Sequence, residues 1–376
     1  MKTAIVNFPG QVIYGRESIK KLKDKVKGHS NVALFAYGSA GKNKGYQLIL
    51  EILDGEGISY TEIREIPAEP SYLEVQEIYD RLDENVDLII AFGGGSVIDT
   101  AKLISIMDRD LSVKDLIDDS SKGNKKIKTI TIPTTCGTGA EATPNSIVLI
   151  PEEDLKFGIV NDEMLPDLVI LDPIAIEKLP KKIIAYTGVD ALCHAIECYT
   201  SNKANDISNL FSLEALKLIY ENLEQAYIKE DMKAKEKMLL AAYYAGVAIA
   251  AAGTTAVHAL SYPLGGKYRM AHGLSNAMLL LPVMKENKDV IEDRLEKVYD
   301  YIWGRDSSEN KAEAVLQWME ELLRILEIPT SLKEFNIDEK DLDYLAEAAF
   351  GVKRLLNNNM KEYDVETIKQ IYLEIM

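Results

Sequence analysis

The sequence predicts two domains: an α/β domain with a doubly wound, mostly parallel, Rossmann-like sheet over residues 1–175, and an all-helical domain over residues 176–376. In the first half, short β-branched runs such as NVALFAY at 31–37 and VDLIIAF at 86–92 alternate with helix-patterned segments. In the second half these runs stop, and long amphipathic segments follow one another. The boundary is placed near residues 172–180, where two prolines flank a short segment.

The composition excludes several classes of function. The chain has 376 residues, and its 60 acidic against 43 basic side chains give a net charge of −17. This charge argues against binding to nucleic acid or to an anionic membrane surface. Three cysteines without a CxxC pair favour a reducing compartment, and no segment has the pattern of a signal peptide or a membrane span. We therefore expect a cytoplasmic protein that binds neither nucleic acid nor membranes.

A glycine turn marks the end of one predicted strand. The run VDLIIAF is apolar at most positions, which is typical of a central parallel strand covered on both faces. It leads directly into Gly93, Gly94, Gly95 and Ser96 and then into a helix-like segment. Glycines let the backbone approach a ligand, and the N–H groups at a helix start attract phosphate. The turn therefore indicates an anion site, with a bare tight turn as the alternative. The GSAGK at residues 38–42 lacks the spacing of an ATPase phosphate loop.

A second turn, rich in hydroxyl groups, follows the strand-like run at residues 128–133. It contains Thr134, Thr135 and Thr138. Because open parallel sheets bind ligands at the carboxyl ends of their strands, this turn suits a nucleotide. A solvated Thr/Gly loop is the alternative.

The histidines are few, and three of the four lie in the helical half. Asp190 and His194 are four residues apart, so both side chains lie on one face of a helix. His258 and His272 flank a break that contains a proline and two glycines. One carboxylate and three imidazoles suit Fe(II) or Zn(II) better than Ca²⁺ or Mg²⁺. The alternative is that each histidine is a hydrogen-bonded core residue.

Four motifs together resemble those of the iron-containing (group III) alcohol dehydrogenase family, and the resemblance covers nearly the whole chain. They are GGGSVIDTAK at 93–102, PTTCGTGAE at 133–141, DALCHAIECYTS at 190–201, and HALSYPLGG with AHG at 258–266 and 271–273. The resemblance implies an architecture of the dehydroquinate synthase-like type. In this architecture the first domain binds a dinucleotide, and the second, all-helical domain binds metal and substrate.

The resemblance also implies an activity and a set of site residues. The activity is hydride transfer between NAD(P)(H) and a small primary alcohol or aldehyde, with Fe(II), or alternatively Zn(II), as a Lewis acid. The implied metal ligands are the four residues selected above by spacing. The implied nucleotide contacts are Gly94, Gly95, Ser96, Asp99, Thr134, Thr135, Thr138 and Lys156.

Two positions depart from the family pattern. Many members have a histidine four residues after the third metal ligand, where this chain has Tyr262, which is either a catalytic proton relay or a structural residue. NAD-preferring members often have an aspartate after the second strand, where this chain has Gly38 and Ser39, followed by Lys42 and Lys44. This turn therefore tolerates the 2′-phosphate of NADP(H), so the cofactor is NAD(H) or NADP(H), and lysines that attract the phosphate would favour NADP(H). The alternative is that the two lysines are merely solvated.

Three further motifs limit the choice of substrate to two classes. SYPLGG at 261–266, EPS at 69–71 and RLLNNN at 354–359 resemble the branch that contains 4-hydroxybutyrate dehydrogenases. The candidate substrate pair is therefore 4-hydroxybutyrate and succinate semialdehyde, with simple primary alcohols as the alternative. A carboxylated substrate needs a cation, and the basic residues nearest the motifs are Lys267, Arg269, Lys353 and Arg354.

Other classes of function stay open at this point. A metal-dependent lyase or synthase could use the same fold, and a nonenzymatic binding protein could retain the scaffold. The resemblance further implies a homodimer or a larger homo-oligomer.

Overall fold

The computed structural model describes residues 4–305 and 309–376. They form two compact units, an α/β unit at Asn7–Leu179 and a helical unit at Pro180–Met376 that also takes in residues 4–6. The boundary predicted between residues 175 and 176 falls in the short helical turn Pro173–Ile176. The predicted fold class, a parallel α/β unit followed by a helical unit, is confirmed.

The α/β unit contains a six-stranded parallel sheet and a separate antiparallel hairpin. The sheet strands are β1 (Val12–Tyr14), β2 (Asn31–Ala36), β3 (Ser59–Ile63), β4 (Leu88–Gly93), β5 (Lys128–Pro133) and β8 (Leu168–Leu171), and the hairpin strands are β6 (Asn145–Ile150) and β7 (Leu155–Val160). The helices are α1 (Leu22–Lys25), α2 (Lys44–Gly55), α3 (Tyr72–Asp80), α4 (Gly95–Ser105) and α5 (Val113–Asp118). The order across the sheet is β1-β8-β5-β4-β2-β3.

Strand β4 is buried at every position because the sheet has a packed core on each face. Ile89 enters the core that contains Val75, while the next residue, Ile90, enters the core that contains Ile49. Successive side chains of a strand point to opposite faces, so a strand covered on both sides has no polar positions. This explains the unbroken apolar run in the sequence.

The direction of winding reverses between β2 and β4. The chain continues from β2 to the edge strand β3, and it then places β4 on the other side of β2. Open α/β sheets bind ligands outside the carboxyl ends of the strands at such a reversal. Ala36 of β2 pairs with Phe92 of β4, and Gly93 pairs with Pro133 of β5. The turns that follow these three strands therefore begin at one edge of the sheet.

Within the described residues, the helical unit contains longer α-helices followed by shorter ones. They are α6 (Lys181–Tyr199), α7 (Asp206–Ile228), α8 (Met232–Ala252), α9 (Ala256–Tyr268), α10 (His272–Trp303), α11 (Lys311–Ile325), α12 (Leu342–Gly351), α13 (Lys353–Leu356) and α14 (Val365–Leu373). Among the described residues, no single helix is both long and apolar enough to cross a bilayer. Helices α8 and α9 meet the criteria of length and composition only as a pair, and the chain bends by 105° between them.

A buried polar cluster links α4 to the loop after β5. The Lys102 side chain is fully buried, and its Nζ donates to the carbonyl oxygens of Ala140 at 2.7 Å and Thr143 at 3.1 Å. The same Nζ lies 2.9 Å from Oδ1 of Asp99. Glu141, in the same loop, is also buried, and burial raises the pKa of its carboxyl to about 7 against the opposing effects of its backbone amide and Lys102.

Glu141 should therefore make stability depend on pH. Its pKa rises from an ordinary value of 4.5 to about 7 on folding, so the stability that its neutral form provides is lost as the pH rises through 7. We expect the free energy of unfolding of the wild type to fall by about 2 kcal/mol more between pH ~5 and pH ~8 than that of Glu141→Gln, which stays neutral. Urea unfolding at the two pH values measures the difference, with Glu51→Gln on the exposed side of α2 as the control. Equal pH dependence in all three proteins would contradict the assignment.

Candidate functional site

Helices α6, α9 and α10 bring one carboxylate and three imidazoles to a single point. Asp190 and His194 lie one turn apart on α6, His258 lies in the first turn of α9, and His272 is the first residue of α10. Their ligand atoms all lie within 4.8 Å of one another. The structure thus brings together the four residues that spacing had selected from the sequence.

The distances within this cluster suit a metal ion. Oδ1 of Asp190 lies 3.8 Å from Nε2 of each of the three histidines. Donor atoms that share one metal at about 2.1 Å are about 3.0 to 3.4 Å from one another, so a small inward movement would bring these four within reach of a single ion. Asp190, His194 and His258 are buried, whereas the His272 side chain is 30% exposed. The cluster is therefore buried around three of its candidate ligands and accessible to solvent at the fourth.

The orientation of His258 is set by Glu197, which is fully buried. Oε2 of Glu197 accepts a hydrogen bond from Nδ1 of His258, and Oε1 accepts from the backbone N–H of Val257 at 2.8 Å and from the Thr255 hydroxyl at 2.7 Å. With its proton held on Nδ1, His258 presents the lone pair of Nε2 to the cluster. The motifs did not single out Glu197, although it follows His194 by three residues on the same helix face.

Asn276 is a second residue that the motifs did not indicate. It lies on α10 one turn after His272, and its Nδ2 donates to Oδ1 of Asp190 at 2.7 Å. The same atom lies 3.1 Å from Nε2 of His258 and 3.2 Å from Nε2 of His272. An N–H group with partial positive charge thus lies against three of the four ligand atoms. Lone pairs on three imidazoles and one carboxylate that converge in this way fit a borderline divalent cation.

The charge state of Asp190 also suits a metal ligand. Burial by itself would raise the pKa of this carboxyl, but the three histidines and the amide of Asn276 bring it below its ordinary value. Asp190 therefore stays ionised, which is the form that binds a cation. Such a donor set can hold a divalent metal that acts as a Lewis acid on an oxygen atom of a substrate.

Two further residues from the sequence analysis are not among the four candidate ligands. Tyr262 is one turn after His258 on α9, is buried, and accepts a hydrogen bond from Nη2 of Arg354 at 3.4 Å. His29, the fourth histidine, belongs to the α/β unit, where its Nδ1 lies 3.2 Å from Oδ1 of Asp87.

In the α/β unit, the glycine turn and the Thr-rich turn lie against each other. A Cβ atom at Gly94 would lie 3.1 Å from Cγ2 of Thr135, and one at Gly95 would lie 3.0 Å from Cγ2 of Thr138. The backbone N–H of Thr134 also donates to the Gly93 carbonyl at 3.0 Å. Since α4 begins at Gly95, its first N–H groups and the threonine hydroxyls lie at the same edge of the sheet.

The remaining predicted nucleotide contacts have defined partners. The Ser96 hydroxyl accepts a hydrogen bond from the backbone N–H of Glu69 at 2.9 Å, and the Glu69 carboxylate pairs with Nζ of Lys156 at 2.8 Å. Lys156 is thereby connected to the glycine turn through the EPS segment. Asp99 accepts from the backbone N–H of Ile147 at 3.1 Å and pairs with Lys102, so its carboxylate faces the interior of the unit.

Gly38 and Ser39 follow β2, and the structure brings a cation to them that the motifs did not indicate. Arg64, which directly follows the edge strand β3, donates a hydrogen bond from Nη2 to the Gly38 carbonyl. Lys44, in contrast, pairs with Glu177 at 2.9 Å. The available signal for Arg64 was its place directly after the strand that neighbours β2.

Comparisons with known proteins agree with this architecture. The sequence profile of iron-containing alcohol dehydrogenases matches residues 9–173, and that of the C-terminal part of the Fe-containing alcohol dehydrogenase family matches residues 184–376.

Individual relatives match over most of their length. The chain is 35% identical to long-chain-alcohol dehydrogenase 1 of Geobacillus thermodenitrificans, over 82% of this chain and 80% of the relative. It is also 35% identical to 4-hydroxybutyrate dehydrogenase of Clostridium kluyveri, over 79% of this chain and 81% of the relative. The crystal structure of an iron-containing alcohol dehydrogenase from Thermotoga maritima superimposes with a TM-score of 0.87 at 30% identity and covers 99% of both chains. The chain therefore belongs to the iron-containing alcohol dehydrogenase family, whose members are oxidoreductases that act on alcohols.

Proposed function

We propose that the chain is a metal-dependent, NAD(P)(H)-linked alcohol dehydrogenase that works as an aldehyde reductase on small primary substrates. In this proposal residues 1–175 bind the dinucleotide and residues 176–376 bind metal and substrate. The observation that carries the proposal is the convergence of Asp190, His194, His258 and His272 within 4.8 Å. Because the chain belongs to this family and has all four candidate metal ligands, no observation favours a lyase, a synthase or a nonenzymatic binding protein.

We further propose that these four residues hold one divalent metal, Fe(II) in preference to Zn(II). Such an ion supplies Lewis-acid polarisation of the reacting oxygen. The chain prepares the site in two ways, since Glu197 fixes the tautomer of His258 and Asn276 holds the Asp190 carboxylate. Tyr262, one turn from His258, is a further residue of this site, as a proton relay or as a structural residue.

The proposed dinucleotide contacts are the residues that the resemblance to the family implies, together with the turn after β2. They are Gly38, Ser39, Gly94, Gly95, Ser96, Asp99, Thr134, Thr135, Thr138 and Lys156. NADP(H) is proposed as the preferred cofactor. Residues 37–42 contain no carboxylate that would repel a 2′-phosphate, and the guanidinium of Arg64 lies over this turn.

The proposed substrate pair is 4-hydroxybutyrate and succinate semialdehyde. The name of the Clostridium kluyveri relative supports it, as does the motif at residues 354–359. A cytoplasmic location is also proposed, because Cys136, Cys193 and Cys198 form no disulfide within the described residues and all three are buried. The proposal includes a homodimer or a larger homo-oligomer, in line with the resemblance to the family.

The function can be tested by anaerobic assays that follow the absorbance of the reduced nicotinamide. After chelation, added Fe(II) or Zn(II) should restore the oxidation of NADPH, and more weakly of NADH, with butyraldehyde or succinate semialdehyde. His272→Ala should bind metal poorly and lose most of its turnover, because one of four ligands is removed. His29→Ala, in the other unit, is the control. Full turnover in chelated enzyme or in the metal-free His272→Ala variant would contradict the proposed metal site.

The role of Glu197 can be measured as metal affinity. In Glu197→Gln the side-chain amide can donate to Nδ1 of His258, which favours the tautomer that carries its proton on Nε2 and so blocks the ligand atom. We expect metal affinity to fall about 10- to 100-fold, as is usual when a partner of a ligating histidine is lost. Competition with a chromogenic chelator measures it, and Glu221→Gln on the exposed side of α7 is the control. Unchanged affinity in Glu197→Gln would show that Glu197 does not orient the ligand.

The cofactor preference can be tested at Arg64. We expect Arg64→Gln to raise the Kd of NADPH about tenfold, because a charged hydrogen-bond donor to the 2′-phosphate is lost, and to leave the Kd of NADH within about twofold. Fluorescence of the bound reduced nicotinamide measures both constants. Arg81→Gln, which pairs with Glu65 at 3.7 Å, is the matched control. An equal loss of both cofactors would mean that Arg64 only supports the turn through the Gly38 carbonyl.

A further inference from the structure

We propose that Arg354 binds the carboxylate of the substrate and thereby selects ω-hydroxycarboxylates and their semialdehydes over uncharged alcohols and aldehydes of equal length. The inference rests on the proposed function, and it names the residue and the substrate class that the reductase activity by itself leaves undecided. Arg354 lies on the short helix α13, in the same unit as the candidate metal ligands.

The first step of the argument is the position of Arg354. Its Nη2 donates to the hydroxyl of Tyr262 at 3.4 Å. Tyr262 follows His258 by four residues on α9, so the two side chains share one face of the helix, about 6 Å apart along its axis. The guanidinium therefore contacts a residue that lies one helical turn from a candidate metal ligand. Such a position suits a short substrate with its reacting oxygen at one end and its carboxylate at the other.

The second step is that no acidic side chain among the described residues neutralises the charge of Arg354. Within residues 4–305 and 309–376, no carboxylate lies within ion-pair distance of its guanidinium, and Tyr262 is the hydrogen-bond acceptor that it contacts. A guanidinium has five N–H donors in a planar fork, so most of them remain for a carboxylate bound through both oxygens. The side chain is also exposed, which gives a ligand access.

The other basic residues near the motifs are placed differently. Nζ of Lys267 lies 3.8 Å from the ring centroid of Tyr344, and Nζ of Lys353 lies over the ring of Phe350. Arg269 ends α9 in a left-handed conformation, with φ of 55°. Among these four candidates, Arg354 is the one that donates a hydrogen bond to a residue one turn from a candidate metal ligand.

The third step is that the backbone around Arg354 is firmly held. Nδ2 of Asn358 donates to the Thr254 carbonyl at 2.9 Å, just before α9, and the Asn358 carbonyl accepts from the backbone N–H of Asn202 at 2.8 Å. The side chains of Asn359 and Asn287 exchange two hydrogen bonds, at 2.9 and 3.0 Å. Asn358 and Asn359 therefore anchor the segment. A cationic side chain on a backbone that is already held in place loses less conformational entropy when it binds a ligand.

Two four-carbon aldehydes provide the test, because succinate semialdehyde and butyraldehyde differ chiefly in the terminal carboxylate. In the metal-loaded enzyme, Arg354→Gln should lower kcat/KM for succinate semialdehyde roughly 10- to 100-fold, mainly through KM, since a charge-assisted pair is lost. Butyraldehyde should change by no more than about twofold. Arg354→Lys should recover part of the loss, and calorimetry should show weaker binding of 4-hydroxybutyrate to Arg354→Gln than to the wild type.

Two further variants sharpen the test. Arg269→Gln is the matched control, and it should leave the preference between the two aldehydes unchanged. Tyr262→Phe removes the hydroxyl that holds Arg354, so as a positioning residue it should raise KM for succinate semialdehyde alone. As a proton relay it would instead lower kcat for both aldehydes.

The outcomes separate this inference from the proposed function. Equal loss of both aldehydes in Arg354→Gln, or a selective loss in Arg269→Gln, would overturn the role of Arg354 and leave the reductase intact. A wild type that reduces butyraldehyde but neither reduces succinate semialdehyde nor binds 4-hydroxybutyrate would do the same. A metal-loaded wild type that reduces neither aldehyde with either cofactor would overturn both.

Discussion

The candidate metal site depends on one buried carboxylate, that of Glu197. A charge without solvent is costly unless hydrogen bonds compensate it, and Glu197 receives them from the start of α9 and from the ring of His258. The same bonds satisfy N–H groups at the helix start that would otherwise lack partners. One interaction therefore joins α6 to α9 and fixes the tautomer of a candidate ligand.

The α/β unit also contains a buried charge that hydrogen bonds compensate, in this case the cation of Lys102. Lys102 holds the loop after β5 against α4 through the carbonyls of Ala140 and Thr143 and through the carboxylate of Asp99. Because glycines occupy the turn before α4, the threonines of the neighbouring turn approach its backbone closely. In both units, a fully buried charged side chain binds backbone groups: Lys102 binds loop carbonyls, and Glu197 binds N–H groups at a helix start.

The candidate metal ligands and the two turns differ in their surroundings from the residues proposed to set cofactor and substrate preference. The ligands lie on long helices, and the turns directly follow central strands, where packing on several sides fixes them. Arg64 and Arg354 lie instead at the end of an edge strand and on a short helix, and both side chains are partly or fully accessible. Substitutions at such places disturb little of the core, so cofactor and substrate preference can change while the fold and the metal site remain.

The sequence by itself determined the fold class and the groups that lie on one element. Strand and helix periodicity showed the two halves, four-residue spacing placed Asp190 and His194 on one helix face, and the glycine turn marked a helix start. Only the tertiary structure decided which distant residues complete each site. Glu197 and His258 are 61 residues apart, Asn276 and Asp190 are 86 apart, and Arg354 and Tyr262 are 92 apart. Periodicity describes neighbours along one helix or strand, whereas these contacts arise from the packing of separate helices, which no local pattern encodes.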